Sequence, residues 1–320
     1  MTSRQQPIGT GFSAASTAEE VMAGIDLSGR RAVVTGGYSG IGLVTARALA
    51  EAGATVIVPA RDRRRAEAAL AGTAGIEVED MDLTDPASIA AFARRLRQRA
   101  VPVSILINSA GVMATPLFRD AQGHEGQFAT NHLGHYRLTC GLWPLLTEEG
   151  ARVVAVSSRG HQIAGVDFDD IDFLTRSYDK WTAYGQSKTA NALFALGLDR
   201  RGAAHGVRAF SLHPGQILTD LARHLSAEEI AGFGALDAEG RPIVDPSRGM
   251  KTVEQGAATG LWCATSPALR GSGGVYCEDC DIAPVNTGEL GRRGVARWAC
   301  DAGLAERLWS VSETLTGLGV

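Results

Sequence analysis

Tyr184 and Lys188 stand one helical turn apart in the stretch TAYGQSKTANALFALG, residues 182–197. Side chains four apart share a helix face, so a phenol and an ammonium become neighbours. That pair suits carbonyl chemistry. Hydride transfer to a carbonyl carbon builds negative charge on the oxygen, and some group must bring a proton there. A free phenol, with a pKa of about 10, exchanges protons poorly at neutral pH. A cation beside it stabilises phenolate, so the sequence predicts that Lys188 lowers the pKa of Tyr184. Lysine is sparse here, occurring only at 180, 188 and 251. Taken alone, a surface Tyr/Lys pair is the commoner explanation, so the case rests on what surrounds it.

A glycine loop supplies that context. Thr35-Gly36-Gly37-Tyr38-Ser39-Gly40-Ile41-Gly42 follows the apolar RRAVV and opens a helical stretch. Gly36 permits a tight turn, Gly40 lets backbone approach a pyrophosphate, and Gly42 allows close helix packing. The diphosphate would meet free N–H groups at the helix start. Tyr38, Ser39 and Ile41 complete this cofactor cradle. The spacing is G-x-x-x-G-x-G rather than the usual dinucleotide fingerprint. The next strand ends at Arg61-Asp62. An acid there holds a ribose 2'-hydroxyl, whereas an arginine accepts a 2'-phosphate. Arg61 favours NADP(H), and Asp62 leaves NAD(H) open.

The elements that carry these groups follow a β-α rhythm. Apolar strands are expected at 54–60, 76–82, 101–111, 151–158, 205–215 and 273–279, besides the one leading into the glycine loop. Alanine- and arginine-rich helices are expected at 40–52, 62–71, 86–99 and 187–204. Such alternation predicts a doubly wound Rossmann-type α/β fold, with a central parallel sheet of about seven strands flanked by helices. Residues 1–27 read as an arm with a short helix capped by Thr17 and Glu20. Residues 28–285 form the main domain, with substrate loops at 159–183 and 218–250, and 286–320 is a helical extension of it. That extension could pack on its own domain, a partner subunit or a membrane surface, the first two being favoured by its acids.

Bulk properties narrow the classes. The chain has 320 residues, 45% hydrophobic, with a formal net charge of -4. This speaks against nucleic acid as partner. No stretch is apolar enough to span a membrane. The five cysteines are scattered, which predicts reduced thiols and a cytoplasmic protein. Cys277-Glu278-Asp279-Cys280 lacks the second pair that zinc would need, so no metal is expected. The pair reads as structural, with a redox dithiol as the lesser alternative.

The glycine loop, Asn108-Ser109-Ala110-Gly111, Ser158 and Tyr184-x-x-x-Lys188, taken in order, resemble the classical short-chain dehydrogenase/reductase family. The opening TAEEVMAGIDLSGRRAVVTGG and the stretch SYDKWTAYGQSKTAN further resemble its retinol dehydrogenase and WW-domain-containing oxidoreductase branch. The resemblance explains the glycine spacing, which is the family's own. It implies catalytic roles for Ser158, Tyr184, Lys188 and Asn131, with Ser158 rather than Ser157 as the serine. Asp82 and Leu83 would meet the adenine, and Asn108, Ala110 and Gly111 would lie over the cofactor. Lys188 would hold the nicotinamide ribose, and Pro214, Gly215 and Thr219 would bracket the nicotinamide. Arg61 matches the arginine that marks NADPH users in this branch.

The expected activity is NADP(H)-preferring interconversion of an alcohol and a ketone or aldehyde, by a homodimer or homotetramer. Reduction of an activated C=C bond, or a dinucleotide-binding regulator with little turnover, are the alternatives. Met113, His161, Gln162, Trp181 and His213 are placed in the substrate pocket from their positions alone.

Overall fold

Valine, isoleucine and alanine dominate the segments that pair at the centre of the molecule, so these strands are covered on both faces. The computed structural model describes residues 5–288 and 290–320. Its strands are β1 (Arg31–Thr35), β2 (Thr55–Ala60), β3 (Ile76–Asp80), β4 (Ile105–Asn108), β5 (Arg152–Val156), β6 (Arg208–His213) and β7 (Val275–Glu278). They run parallel in the order β3-β2-β1-β4-β5-β6-β7, and a short β8 (Asp281–Ile282) closes the edge antiparallel to β7. A separate two-stranded sheet joins β9 (Val285–Asn286) to β10 (Val295–Ala296).

The helices are α1 (Ala18–Met22), α2 (Gly40–Glu51), α3 (Arg63–Leu70), α4 (Pro86–Gln98), α5 (Gly126–Phe128), α6 (Gly134–Thr147), α7 (Lys180–Gly202), α8 (Ala227–Gly232), α9 (Val253–Thr265) and α10 (Ala302–Thr316). Two large apolar clusters sandwich the sheet. One gathers Phe92, Leu142, Leu193 and Trp309, and the other Leu49, Val58, Leu261 and Trp262. This is the doubly wound α/β arrangement that the β-α rhythm predicts.

Strand order reverses between β1 and β4. In such sheets the crevice beyond the strand ends at the reversal is where ligands bind. Here Thr35 and Asn108 are direct register partners, so the glycine loop and the 108–111 segment leave the sheet side by side.

Some boundaries differ from expectation. The helix expected at 187–204 begins at Lys180, because Asp179 caps it by accepting from the Thr182 N–H at 2.7 Å. Tyr184 and Lys188 therefore both sit inside α7. The Cys-x-x-Cys spacing is a hairpin: Asp279 and Cys280 have φ of 55° and 57° and form the two-residue turn between β7 and β8. The five cysteines are free thiols, Cys277 and Cys280 among the buried ones. Residues 5–16 are not loose. Gln5 donates to Tyr276 O and Ala283 O and accepts from Tyr276 N, while the Asp281 carboxylate accepts from Ile8 N and Gly9 N. The capping box at Thr17 and Glu20 forms.

The C-terminal α10 packs on its own chain. Trp309 stacks on Phe194 of α7 with the rings 2° from parallel. No helix among the described residues is long and apolar enough to cross a membrane.

Candidate active site

The glycine loop is shaped by close contacts at its glycines. Gly36 has φ +68°, and a Cβ there would lie 3.0 Å from Ala110 Cα. A Cβ on Gly42 would fall 2.3 Å from the Gly36 carbonyl oxygen, so the first turn of α2 rests on the loop's own backbone. Gly40, with φ +50°, faces the Thr219 methyl, which brings the loop after β6 over the cradle. Ser39 is the N-cap of α2 but makes no side-chain capping bond, which leaves the helix start to an incoming acceptor. Thr35 Oγ1 accepts from Ser109 N at 2.9 Å and Ala110 N at 3.0 Å, tying the loop to the 108–111 segment. The sequence offered no signal for this bond. These features fit a dinucleotide whose pyrophosphate meets the helix start.

At the end of β2, Arg61 is exposed, whereas Asp62 caps α3 by accepting from the Arg65 N–H at 3.0 Å. Both side chains are exposed, with one Asp62 oxygen engaged in the cap and the Arg61 guanidinium open to solvent. Asp82 accepts from both the N–H and hydroxyl of Thr84, each at 2.8 Å, and Leu83 packs against Gly134. Gly215 has φ +108°, and a Cβ there would collide with the buried Lys251 stem at 2.6 Å. Lys251 in turn pairs with Asp279 at 2.7 Å. Neither partner was singled out from sequence.

On α7, Tyr184 and Lys188 are buried, and the ammonium lies 5.7 Å from the phenol ring centroid. Lys188 Nζ donates to the Val156 carbonyl at 3.0 Å. Ser158 Oγ and the Tyr184 ring edge converge on Gly160, lying 3.4 and 2.7 Å from where its Cβ would be, and the neighbouring serine hydroxyl favours the phenolate. Its neighbour Ser157 instead donates to the Lys188 carbonyl at 2.7 Å and is spent on holding α7. Gly160 is essential to the approach, since a Cβ there would sit 2.7 Å from Tyr184 Cε1.

Asn131 lies in a π-helical turn, Ala129–Leu133, where α5 passes into α6. Its Oδ1 accepts from Val112 N at 2.9 Å, and its Nδ2 donates to Val112 O and to Ser187 Oγ. A Cβ on Gly111 would lie 3.0 Å from Asn131 Oδ1 and 3.6 Å from Lys188 Nζ, so these three positions converge.

Electrostatics correct one expectation. Burial pushes the Tyr184 phenol up to about 12, and only the neighbouring Ser158 hydroxyl opposes this. Burial also pulls Lys188 down to about 8. Desolvation, not the field of Lys188, therefore sets the phenol's pKa in this structure.

The proposed pocket residues separate. Trp181 stands edge-on to Tyr184, centroids 6.3 Å apart, and meets Phe233 from the 218–250 loop at 5.7 Å. Met113 is half-buried just past Gly111. Three others are occupied by the protein itself. His161 Nδ1 lies 2.6 Å from Ser158 O, and its Nε2 accepts from Ala296 N at 2.9 Å. His213 Nδ1 accepts from Arg159 N at 3.1 Å. Gln162 donates to Arg292 O and Gly294 O and accepts from Gly291 N. The polar atoms of His161 and Gln162, and Nδ1 of His213, brace loops. Among the described residues no cluster of metal-ligating side chains exists.

The family described as short chain dehydrogenase matches residues 30–230. A Streptomyces antibioticus protein named "Probable oxidoreductase" is 47% identical, covering 89% of this chain and 97% of its own. Retinol dehydrogenase 14 of Mus musculus is 34% identical, covering 91% of this chain and 87% of its own. A crystal structure of an uncharacterized protein from Mycobacterium paratuberculosis superposes with a TM-score of 0.70 at 35% identity, covering 95% of this chain and 98% of that one.

Proposed function

The chain belongs to the short-chain dehydrogenase/reductase family, as an NAD(P)-dependent enzyme, and from that premise we propose that it is an NADP(H)-preferring oxidoreductase interconverting an alcohol and a ketone or aldehyde. The observation that carries this reading is the convergence of Ser158, Tyr184 and Lys188 beside a cradle suited to a dinucleotide. Likeness to retinol dehydrogenase 14 supports a place in that branch.

Gly36, Gly40 and Gly42 would cradle the pyrophosphate, Arg61 the 2'-phosphate, and Lys188 the nicotinamide ribose. When bound, the dinucleotide supplies the hydride to the carbonyl carbon. Tyr184 Oη gives its proton to the carbonyl oxygen, so carbonyl, hydride and proton yield the alcohol. Ser158 Oγ hydrogen-bonds the same oxygen and orients it. Lys188 keeps its charge at neutral pH, since a pKa of about 8 leaves it largely protonated, and from 5.7 Å off the phenol ring centroid it would offer that charge to the nicotinamide ribose. Asn131 braces the π-helical turn beside Lys188. Trp181 forms an apolar wall next to the phenol.

The test is a titration with NADPH and NADH, followed by a panel of ketones, aldehydes and secondary alcohols. NADPH is expected to bind more tightly. Arg61→Ala removes a charge-assisted bond of about 1.5–3 kcal/mol, so it should weaken NADPH by about tenfold or more and leave NADH unchanged. Equal affinities in the wild type would contradict the NADP preference. Turnover confined to activated C=C substrates would replace carbonyl reduction as the activity.

A further inference from the structure

One peptide unit beside Tyr184 is held from both sides. The carbonyl of Ser158 accepts from the side chain and the backbone N–H of His161, at 2.6 and 3.0 Å. The N–H of the same peptide, that of Arg159, donates to His213 Nδ1 at 3.1 Å. His161 belongs to the short turn after β5, and His213 ends β6. Two elements thus grip one peptide.

The hydrogen-bond partners fix both tautomers. Ala296 N–H donates to His161 Nε2, so the proton of His161 is on Nδ1, aimed at the Ser158 carbonyl. His213 accepts on Nδ1, so its proton is on Nε2. Burial keeps both rings neutral. Around them stand Tyr276, whose hydroxyl lies 3.2 Å from His161 Nδ1, and the Arg159–Glu278 pair at 2.7 Å. The charges of Lys251 and Asp279, paired with each other at 2.7 Å, also act on His213.

Ser158 Oγ has little other guidance. It accepts from Gly160 N at 3.1 Å, a local bond within the same turn. Holding that peptide fixes the Ser158 carbonyl carbon, and so anchors the Cα from which the side chain springs. A displacement of that anchor carries the hydroxyl with it, away from the phenol.

We propose that His161 and His213 are positioning residues, which clamp the Ser158–Arg159 peptide and so aim Ser158 Oγ at the oxygen shared with Tyr184. The proposal rests on the reading of Ser158 as a catalytic group. It assigns to two histidines, first placed in the substrate pocket, a role that involves no substrate contact.

The test uses His213→Phe, which deletes the acceptor, and His213→Asn, which retains one near the Nδ1 position. NADPH titration first establishes that each variant folds around its cofactor. His213→Phe is expected to lower kcat on the order of 100-fold, the scale of a small misplacement, with KM for NADPH unchanged. His213→Asn should recover most of that loss. Should the Phe variant fail to bind NADPH, His213→Gln, with its acceptor one bond further out, takes its place with the same expected loss. In a Ser158→Ala background, His213→Phe should cost nothing further, because its effect runs through the serine. An unchanged kcat in His213→Phe, equal losses in Phe and Asn, or a further loss in the double variant would each overturn the clamp while leaving Ser158 its role. Full turnover by Ser158→Ala would overturn the role of Ser158, and the clamp with it.

Discussion

Burial works against the charge of both members of the Tyr184–Lys188 pair. The phenol is raised to about 12 and the ammonium lowered to about 8. A lysine whose folded pKa is depressed weakens the fold where it must stay charged. Between about pH 8 and its usual 10.5 the unfolded chain holds more protons, so this group's contribution to stability rises with pH across that window. Lys188→Met removes the buried charge. It should gain up to about 3 kcal/mol of stability at neutral pH, and the gain should shrink in alkaline buffer. Paired urea unfolding curves at the two pH values measure this. A variant less stable than the wild type at neutral pH would show that the bond to Val156 O outweighs desolvation. The Tyr-Lys spacing was legible because helical geometry makes neighbours of residues four apart. Which force sets the phenol's pKa was not, because burial depends on segments distant in sequence.

At the scale of elements, the site is assembled where β1 and β4 end together. Thr35 is the staple: its hydroxyl accepts from two backbone N–H groups of the opposite segment. Thr35→Val keeps the shape and leaves those donors without an acceptor. A loss of about 2 kcal/mol in unfolding free energy is expected, because orphaned buried donors each cost about 1–3 kcal/mol. NADPH affinity should fall with it, read by the same unfolding curves with and without cofactor. Undiminished stability would show that the two segments hold their spacing without the bond. The need for glycine was legible here, since glycine adopts the positive φ of Gly36 and Gly40 without the strain a side chain brings. The π-helical turn around Asn131 was not, as its sequence reads like any helix start. The loop contacts of His161 and His213 were not legible for a related reason. Position beyond a strand suggested a ligand, while the backbone atoms they bond belong to loops whose paths no local pattern reveals.

The whole molecule joins the two halves of the crevice and then braces them from outside. The β-α rhythm made the sheet legible, because continuously apolar strands require cover on both faces. The tethered residues 5–16 and the inward packing of α10 depend on long-range contacts, such as Gln5 on the β7–β8 hairpin and Trp309 on Phe194. A polar N-terminal stretch carries no periodic signal of such a tether. What unites these layers is the claim that Tyr184 gives the proton while the cradle holds the dinucleotide. The most direct measurement compares wild type and Tyr184→Phe on one substrate from the carbonyl panel, with NADPH affinity determined in parallel. The account predicts that turnover in the variant falls by at least about 100-fold, the lower scale of a lost general acid, while NADPH binding is retained. Turnover undiminished in a variant that binds NADPH normally would contradict it.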